Sequence, residues 1–263
     1  RALLHSCNAY FAYLGRRGST QDFRDMVRTY GMLASTGAWG VDDSGAEDEG
    51  DSFWKIRMRH EDTNQFNEVW KEPTQGFGEQ ERELFANGLS VFDASPAHLG
   101  RAYAALATGT LPQLRLVRRV GDTNLTDEPG TDLTDPDNAF PLSELHRKRI
   151  ADLLVDVVNV SGASANGRGL SEPELGFQLA CKTGSADYSL AKGQEGEENP
   201  KMRKRTWLAG WFPAEDPQYV IVAYVHDTSV TSSKSAVHLA SQFLADPVLK
   251  KLVRFGPDGG EGR

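Results

Sequence analysis

The sequence predicts an α+β fold, because helical and strand periodicities occupy different stretches of the chain. Apolar residues recur at helical spacing in capped segments before residue 163. Beyond residue 175 they alternate with polar or small residues in GFQLACKTGSA, RTWLAGWFPA and QYVIVAYVHD, as strands require. The two connections between these runs are hairpin-like, one long and charged and one short. We therefore expect an antiparallel sheet covered by helices.

Three helices are predicted from their caps as well as from their periodicity, at Ser19–Gly31, Ser95–Gly109 and about Ser143–Gly162. The first opens with a capping box completed by Asp22. The second carries Pro96 at its first helical position, where proline is favoured. A glycine stands at the end of each segment, as helix C-termini prefer.

The chain is expected to be one piece of a single domain over residues 1–255, with a disordered tail at 256–263. Two further helices, at about Ser233–Leu244 and from Asp246 onward, are predicted to close it. Residues 37–83 show no sustained period and contain an acidic stretch and three tryptophans, which indicates an insertion. No internal repeat is visible, so repeat architectures are excluded.

Composition and charge exclude several classes of function. With 29 Lys plus Arg against 37 Asp plus Glu, the net charge of -8 has the wrong sign for nucleic-acid binding through phosphates. No apolar run reaches the roughly 18 residues of a transmembrane helix. Cys7 and Cys181 are too few for a disulfide framework and lack zinc-ligand spacing, so both are expected to be small core residues. No metal or cofactor is predicted.

A K-T-G-S motif ends the first predicted strand and carries groups suited to binding a carboxylate. Lys182 supplies a cation, and Thr183 and Ser185 supply hydroxyls. Gly184 has no side chain to obstruct a peptide that pairs with the strand edge, and the N–H of Ser185 could donate to an oxyanion. Strand alternation sends Lys182 and Cys181 to opposite faces. The tripeptide K-T-G is a weak signal by itself, since chance also produces it.

A second motif, S-x-N, stands far upstream at Ser6-Cys7-Asn8, where a loop leads into a helix. Taken alone, a Ser and an Asn two residues apart most often form a helix cap. Taken with K-T-G-S in this order, the motif resembles the second and third motifs of the serine transpeptidases, the penicillin-binding proteins, which the serine β-lactamases share.

The resemblance extends beyond the motifs and is closest to class B penicillin-binding proteins. Their conserved segments are similar to HSCNAYFAYLG, ASPAHLGRAYAALATG, CKTGSADY and RTWLAGWFPAEDPQYVIVAYVHD. The resemblance implies the transpeptidase, or β-lactamase-like, α+β fold, whose sheet has five strands. Only the C-terminal three are expected here, which would leave YVIVAYV as an unprotected apolar edge.

One family motif is missing from the expected place. The first motif, S-x-x-K, supplies the nucleophilic serine and precedes S-x-N in the family. Here the two matches, Ser52–Lys55 and Ser189–Lys192, both follow it, and about one match is expected by chance. We therefore expect the chain to be the C-terminal part of a transpeptidase domain, inactive without its nucleophile.

The resemblance implies acyl transfer in the intact enzyme, which cross-links peptidoglycan stem peptides through an acyl-serine. It implies that Ser6 relays a proton, that Asn8 binds the substrate backbone and that Lys182 polarises Ser6. Thr183 and Ser185 would bind the terminal carboxylate, beside Gly184.

Partners and location also follow from the family alone. The resemblance implies stem peptides, β-lactams and cell-wall synthesis or division proteins as partners, and an extracytoplasmic site anchored by an upstream segment. Two alternatives stay open: a non-catalytic β-lactam sensor or wall-binding scaffold with the same fold, and a serine β-lactamase.

Overall fold

The computed structural model describes residues 1–32, 78–89, 94–115, 119–124, 130–138, 140–189, 202–228 and 235–255. Two compact units account for the chain. The helical unit comprises Ala2 and Cys7–Lys148, and the sheet unit comprises Arg1, Leu3–Ser6 and Arg149–Arg263. Most of the predicted insertion at 37–83, and the whole of the predicted tail at 256–263, lie outside the described residues.

Four helices lead the helical unit: α1 Asn8–Arg17, α2 Thr20–Thr29, α3 Glu79–Ala86 and α4 Pro96–Thr108. The predicted capping box of α2 is confirmed, because the Ser19 side chain accepts from the Asp22 backbone N–H and the Asp22 side chain returns the bond. The predicted end of α4 is confirmed at Gly109, whose φ of 84° is left-handed.

Helix α3 was not predicted, and it begins inside the stretch assigned to an insertion. It is only 8 residues long, so its apolar pattern is too short to establish a period. Its acidic first turn, Glu79 and Glu81, complements the helix dipole, and Glu81 accepts from the Gly78 backbone N–H.

Close packing joins α1 to α3. A Cβ at Gly15 of α1 would lie 2.5 Å from the backbone oxygen of Arg82 in α3, so only glycine permits this approach. Arg16 adds an ion pair to Glu83, with Nε and Oε1 2.5 Å apart. The small core of this unit has Val27, Met32 and Phe85 as its buried members.

Four two-residue strands follow in the helical unit: β1 Thr110–Leu111, β2 Arg119–Val120, β3 Thr123–Asn124 and β4 Thr131–Asp132. They pair antiparallel as β1 with β4 and β2 with β3. Strands this short carry no detectable alternation, which is why the sequence did not predict them.

The remaining elements are α5 Glu144–Asn159, which enters the sheet unit at Arg149, then α6 Glu172–Leu175, β5 Ala180–Ser189, β6 Met202–Phe212, β7 Tyr219–Thr228, α7 Ala236–Leu244 and α8 Pro247–Phe255. The three strands form an antiparallel sheet in the order β5-β6-β7, as predicted. Among the described residues, β5 pairs only with β6, so its other edge is available for pairing.

One face of this sheet builds the core of the sheet unit. Leu208 of β6 is in register with Ala223 of β7, and Cys181 of β5 lies beside this pair on the same face. All three residues are buried against the helices. From the helices, Val157 of α5 and Ala240 of α7 join the same core. The predicted burial of Cys181 is confirmed, and its strand neighbour Lys182 therefore projects to the opposite face.

The prediction that Cys7 is a core residue is wrong, because its side chain is exposed. Cys7 is the N-cap residue of α1, at the end of a turn, and it has an extended backbone with a ψ of 93°. The apolar character of a thiol does not bury it where the chain turns outward before a helix.

Candidate active site

The two motifs meet at a hydrogen bond between Lys182 and Ser6. Lys182 Nζ lies 2.5 Å from Ser6 Oγ, although the two residues are 176 positions apart in the chain. The same ammonium donates to the Thr183 carbonyl oxygen at 2.8 Å. Both side chains are partly buried. A lysine donor fixed by two acceptors holds the Ser6 hydroxyl oxygen in a positive field.

Burial lowers the pKa of Lys182, and the neighbouring Cys181 acts in the opposite direction with a smaller effect. Removal from water disfavours the charged ammonium, so this lysine releases its proton more readily than an exposed lysine does. Burial also raises the pKa of Cys181 to about 12, which keeps that thiol protonated and unreactive at neutral pH.

Ser6 has an unusual backbone conformation. Its φ of 48° is the one positive value at a non-glycine among the described residues. Left-handed backbone at a residue with a Cβ costs roughly 1–2 kcal/mol, and such strain concentrates at functional sites. Cys7 caps α1 without a side-chain bond, so the alternative of Ser6 as a helix cap does not hold.

A turn between α5 and α6 fixes the loop that carries Ser6. The Ser164 backbone N–H donates to the Leu4 carbonyl oxygen at 3.1 Å. His5 Nδ1 lies 3.2 Å from the Gly162 carbonyl oxygen. The Thr183 hydroxyl donates to Ser164 Oγ at 2.9 Å. One turn thus contacts both the Ser6 loop and β5.

Gly184 and Ser185 lie on the edge strand beyond Lys182. A Cβ built on Gly184 would touch only the Trp207 Cβ, at 3.5 Å, so the space beside this residue is open. The Ser185 side chain is exposed. An extended peptide could therefore approach this part of β5 without a steric obstacle.

Two aromatic residues lie in the same cross-strand row as Gly184, and neither belongs to the predicted motifs. Trp207 is in register with Gly184 on one side and with Tyr224 on the other. The two ring centroids are 4.2 Å apart with an interplanar angle of 38°. Only the strand register brings these rings together, and periodicity alone could not have selected them.

One predicted site residue remains, Asn8, and the two S-x-x-K matches are attributed to chance rather than to a nucleophile. Asn8 is exposed and is the first residue of α1, in the helical unit. Ser189 ends β5, whereas Ser52, Lys55 and Lys192 lie outside the described residues. In the part of the chain that the structure describes, no group of three or more His, Cys, Asp or Glu could hold a metal ion.

Comparison with known sequences identifies a family. A family model described as the penicillin binding protein transpeptidase domain matches residues 1–249. The chain is also similar to the peptidoglycan D,D-transpeptidase MrdA of Acinetobacter baumannii, with 24% identity over 230 residues. That match covers 84% of this chain and 30% of MrdA, so the chain spans less than a third of the curated relative's length.

Solved structures show the same fold. Penicillin-binding protein PBP2 of Helicobacter pylori in complex with MreC matches with a TM-score of 0.64 and 19% identity, over 97% of this chain and 40% of that one. PBP2 of Pseudomonas aeruginosa in complex with WCK 5153 matches with a TM-score of 0.61 and 17% identity, over 100% of this chain and 50% of that one. The TP domain of Burkholderia pseudomallei penicillin-binding protein 3 matches with a TM-score of 0.61 and 16% identity, over 99% of this chain and 65% of that one. The predicted α+β fold is confirmed.

Proposed function

The chain belongs to the penicillin-binding protein transpeptidase family, and from this premise we propose that the intact protein is a class B peptidoglycan D,D-transpeptidase. The observation that carries the proposal is the hydrogen bond from Lys182 to Ser6, which joins the second and third family motifs. The similarity to MrdA supports the same activity.

The proposed reaction is acyl transfer in two steps. The nucleophile is the serine of the family's S-x-x-K motif, which attacks the carbonyl carbon of the penultimate D-alanine in a stem peptide. The peptide C–N bond breaks, the nitrogen takes up a proton, and D-alanine leaves. The amine of a neighbouring stem peptide then attacks the acyl-serine ester, which forms the cross-link and returns the serine hydroxyl.

The proton of the first step passes through Ser6. Its hydroxyl gives a proton to the departing nitrogen and accepts one from the direction of the nucleophile. Lys182 holds the Ser6 oxygen by the 2.5 Å contact and maintains positive potential in the groove.

Substrate binding is proposed for residues of β5, and the family resemblance gives Asn8 a role in it as well. The hydroxyls of Thr183 and Ser185 bind the terminal carboxylate, and the Ser185 N–H forms half of the oxyanion hole. Gly184 leaves room for the peptide backbone. Asn8 hydrogen-bonds the substrate backbone and the lysine of the first motif. Ser185 stands where the family has a second threonine, so it retains the hydroxyl and loses a methyl group.

The proposed partners are stem peptides, β-lactams and proteins of the cell-wall machinery. A PBP2 relative was solved with MreC, which supports the last of these. The proposed location is extracytoplasmic, with an anchor outside these residues. None of the described helices is both long enough and apolar enough to cross a membrane.

Labelling with a fluorescent penicillin tests the proposal. The full-length gene product should form a covalent adduct. In the full-length protein, Lys182→Ala should slow acylation by roughly a hundredfold or more, as loss of one preorganised polar group does. Lys204→Ala is the matched control, because Lys204 is a half-exposed lysine of the same sheet.

Three outcomes separate the candidate functions. Adduct formation together with cross-linking of stem peptides supports the transpeptidase. An adduct without cross-linking would favour a β-lactam sensor or, where the adduct is hydrolysed, a serine β-lactamase, and no adduct would favour a wall-binding scaffold. Either of the last two results would overturn the enzymatic proposal.

A further inference from the structure

The turn at residues 162–166 is more rigidly built than its sequence suggests. Ala163 and Ala165 are buried, while Ser164 between them is exposed. The Ala165 backbone N–H donates to the Val157 carbonyl oxygen at 3.2 Å, and Asn166 Nδ2 donates to the Val158 carbonyl oxygen at 3.1 Å. These two hydrogen bonds attach the turn to the end of α5. The residues that follow Ser164 therefore hold its backbone in place.

Ser164 contacts both segments that carry the motifs. Its backbone N–H donates to Leu4 in the Ser6 loop. Its side-chain oxygen lies 2.9 Å from Thr183 Oγ1, on the residue after Lys182. The mechanism proposed above gives the Ser164 hydroxyl no role.

The hydrogen-bond chemistry of Thr183 gives this contact a consequence. A hydroxyl has one proton to donate, and an ionised carboxylate only accepts. With Thr183 donating to Ser164, that proton is unavailable to a carboxylate. Rotation of the two hydroxyl hydrogens reverses the bond without moving either oxygen, so that Ser164 donates to Thr183 and Thr183 donates to the ligand. A chain of hydroxyls oriented in one direction strengthens each successive donor.

We propose that Ser164 is a positioning residue that orients the Thr183 hydroxyl as a donor to the terminal carboxylate of the substrate. This inference rests on the proposed function, since it takes the carboxylate-binding role of Thr183 from it. Ser164 does not touch the reacting atoms. It favours an anionic ligand over a neutral one, because a hydrogen bond donated to an ionised carboxylate is stronger than one donated to a neutral acceptor such as an ester.

The test compares acylation of the full-length protein by a penicillin and by the methyl ester of that penicillin. Ser164→Ala should lower the second-order acylation rate constant for the free carboxylate about 3- to 10-fold, and for the ester less than about twofold. Ser164→Thr, which restores a hydroxyl, should recover the rate. Thermal melts of both variants establish that each is folded.

A double-mutant cycle adds a second readout. In a Thr183→Val background, Ser164→Ala should cause no further loss, because the hydroxyl it orients is absent. Equal losses for acid and ester, failure of Ser164→Thr to recover the rate, or additive losses in the cycle would each overturn the inference while the wild-type protein is still acylated. A wild-type protein that is not acylated would overturn the proposed function itself.

Discussion

Lys182 combines partial burial with a charge, and this combination makes the stability of the protein depend on pH. Its pKa in the folded chain is lowered by burial, below the value of an unfolded lysine. Between those two values Lys182 binds more protons in the unfolded state, so its contribution to the free energy of unfolding rises with pH there. At neutral pH the charged, partly buried ammonium group lowers the free energy of unfolding.

We expect Lys182→Met to remove this dependence. At neutral pH the variant should have a higher free energy of unfolding than the wild type. This difference should shrink as the pH rises toward the pKa of lysine in the unfolded chain. Denaturant unfolding measured from pH 7 upward checks the trend.

Lys182→Arg is the matched control, because arginine retains its proton throughout this range. The Lys182→Arg variant should lose this pH dependence but should not gain unfolding free energy at neutral pH as Lys182→Met does. If the stability advantage of Lys182→Met over the wild type instead grew as pH rises through this window, burial would not be the dominant cause of the Lys182 pKa shift.

Two glycines of neighbouring strands show how the sheet separates structure from function. In β6, a Cβ at Gly210 would lie 2.6 Å from the Cys181 Cβ and would also collide with the backbone of Ala180. In β5, a Cβ at Gly184 would meet only ordinary contact at 3.5 Å. Gly210 allows β6 to pack closely against β5 on the core face of the sheet. Gly184 leaves the edge of β5 unobstructed.

Alanine at these two positions should therefore have opposite effects. Gly210→Ala should cost about 1–3 kcal/mol of unfolding free energy, as overpacked core sites do. Gly184→Ala should change stability by less than about 0.5 kcal/mol, while it slows acylation of the full-length protein by obstructing the peptide. Thermal melts and penicillin labelling of both variants measure the two effects. A stable Gly210→Ala protein would show that the strands can separate to admit a methyl group.

At the scale of the whole molecule, the sheet unit exposes apolar surface in two places. Among the described residues, β7 pairs only with β6, and Val220 on it is 39% exposed. Helix α7 exposes Leu239 and Phe243, at 48% and 56%. Unpaired strand edges and exposed apolar patches both promote association of chains.

We expect the 263-residue chain, prepared by itself, to associate through the β7 edge, as the sequence analysis predicts for YVIVAYV. Light scattering should give a mass above that of a monomer. Val220→Lys should reduce the mass, because a charged residue on an edge strand opposes pairing.

Phe243→Lys serves as the comparison for that experiment. If this helix variant, rather than Val220→Lys, restores a monomer, the helices and not the strand edge mediate association. A wild-type chain that is monomeric with a cooperative melt would contradict the prediction altogether.

Local signals in the sequence determined the elements with clear punctuation. Ser19 and Asp22 predicted the start of α2, and Pro96 and Gly109 predicted both ends of α4, because caps satisfy backbone groups within a few residues of themselves. Alternation over about ten residues predicted the three long strands. The K-T-G-S and S-x-N motifs, together with the similar segments around and between them, predicted the family, which the family model confirms.

The tertiary structure alone decided what depends on contacts between distant segments. The Ser164 to Thr183 bond and the Trp207 to Tyr224 ring contact each join residues whose neighbours in the chain give no sign of the pairing. The family resemblance implied that Lys182 meets Ser6, and the structure adds the distance between them. The exposure of Cys7 and the existence of α3 belong here as well, because burial and short helices are fixed by what packs against them. Sequence patterns report forces that act along a few residues, whereas a site is assembled by packing across the whole fold.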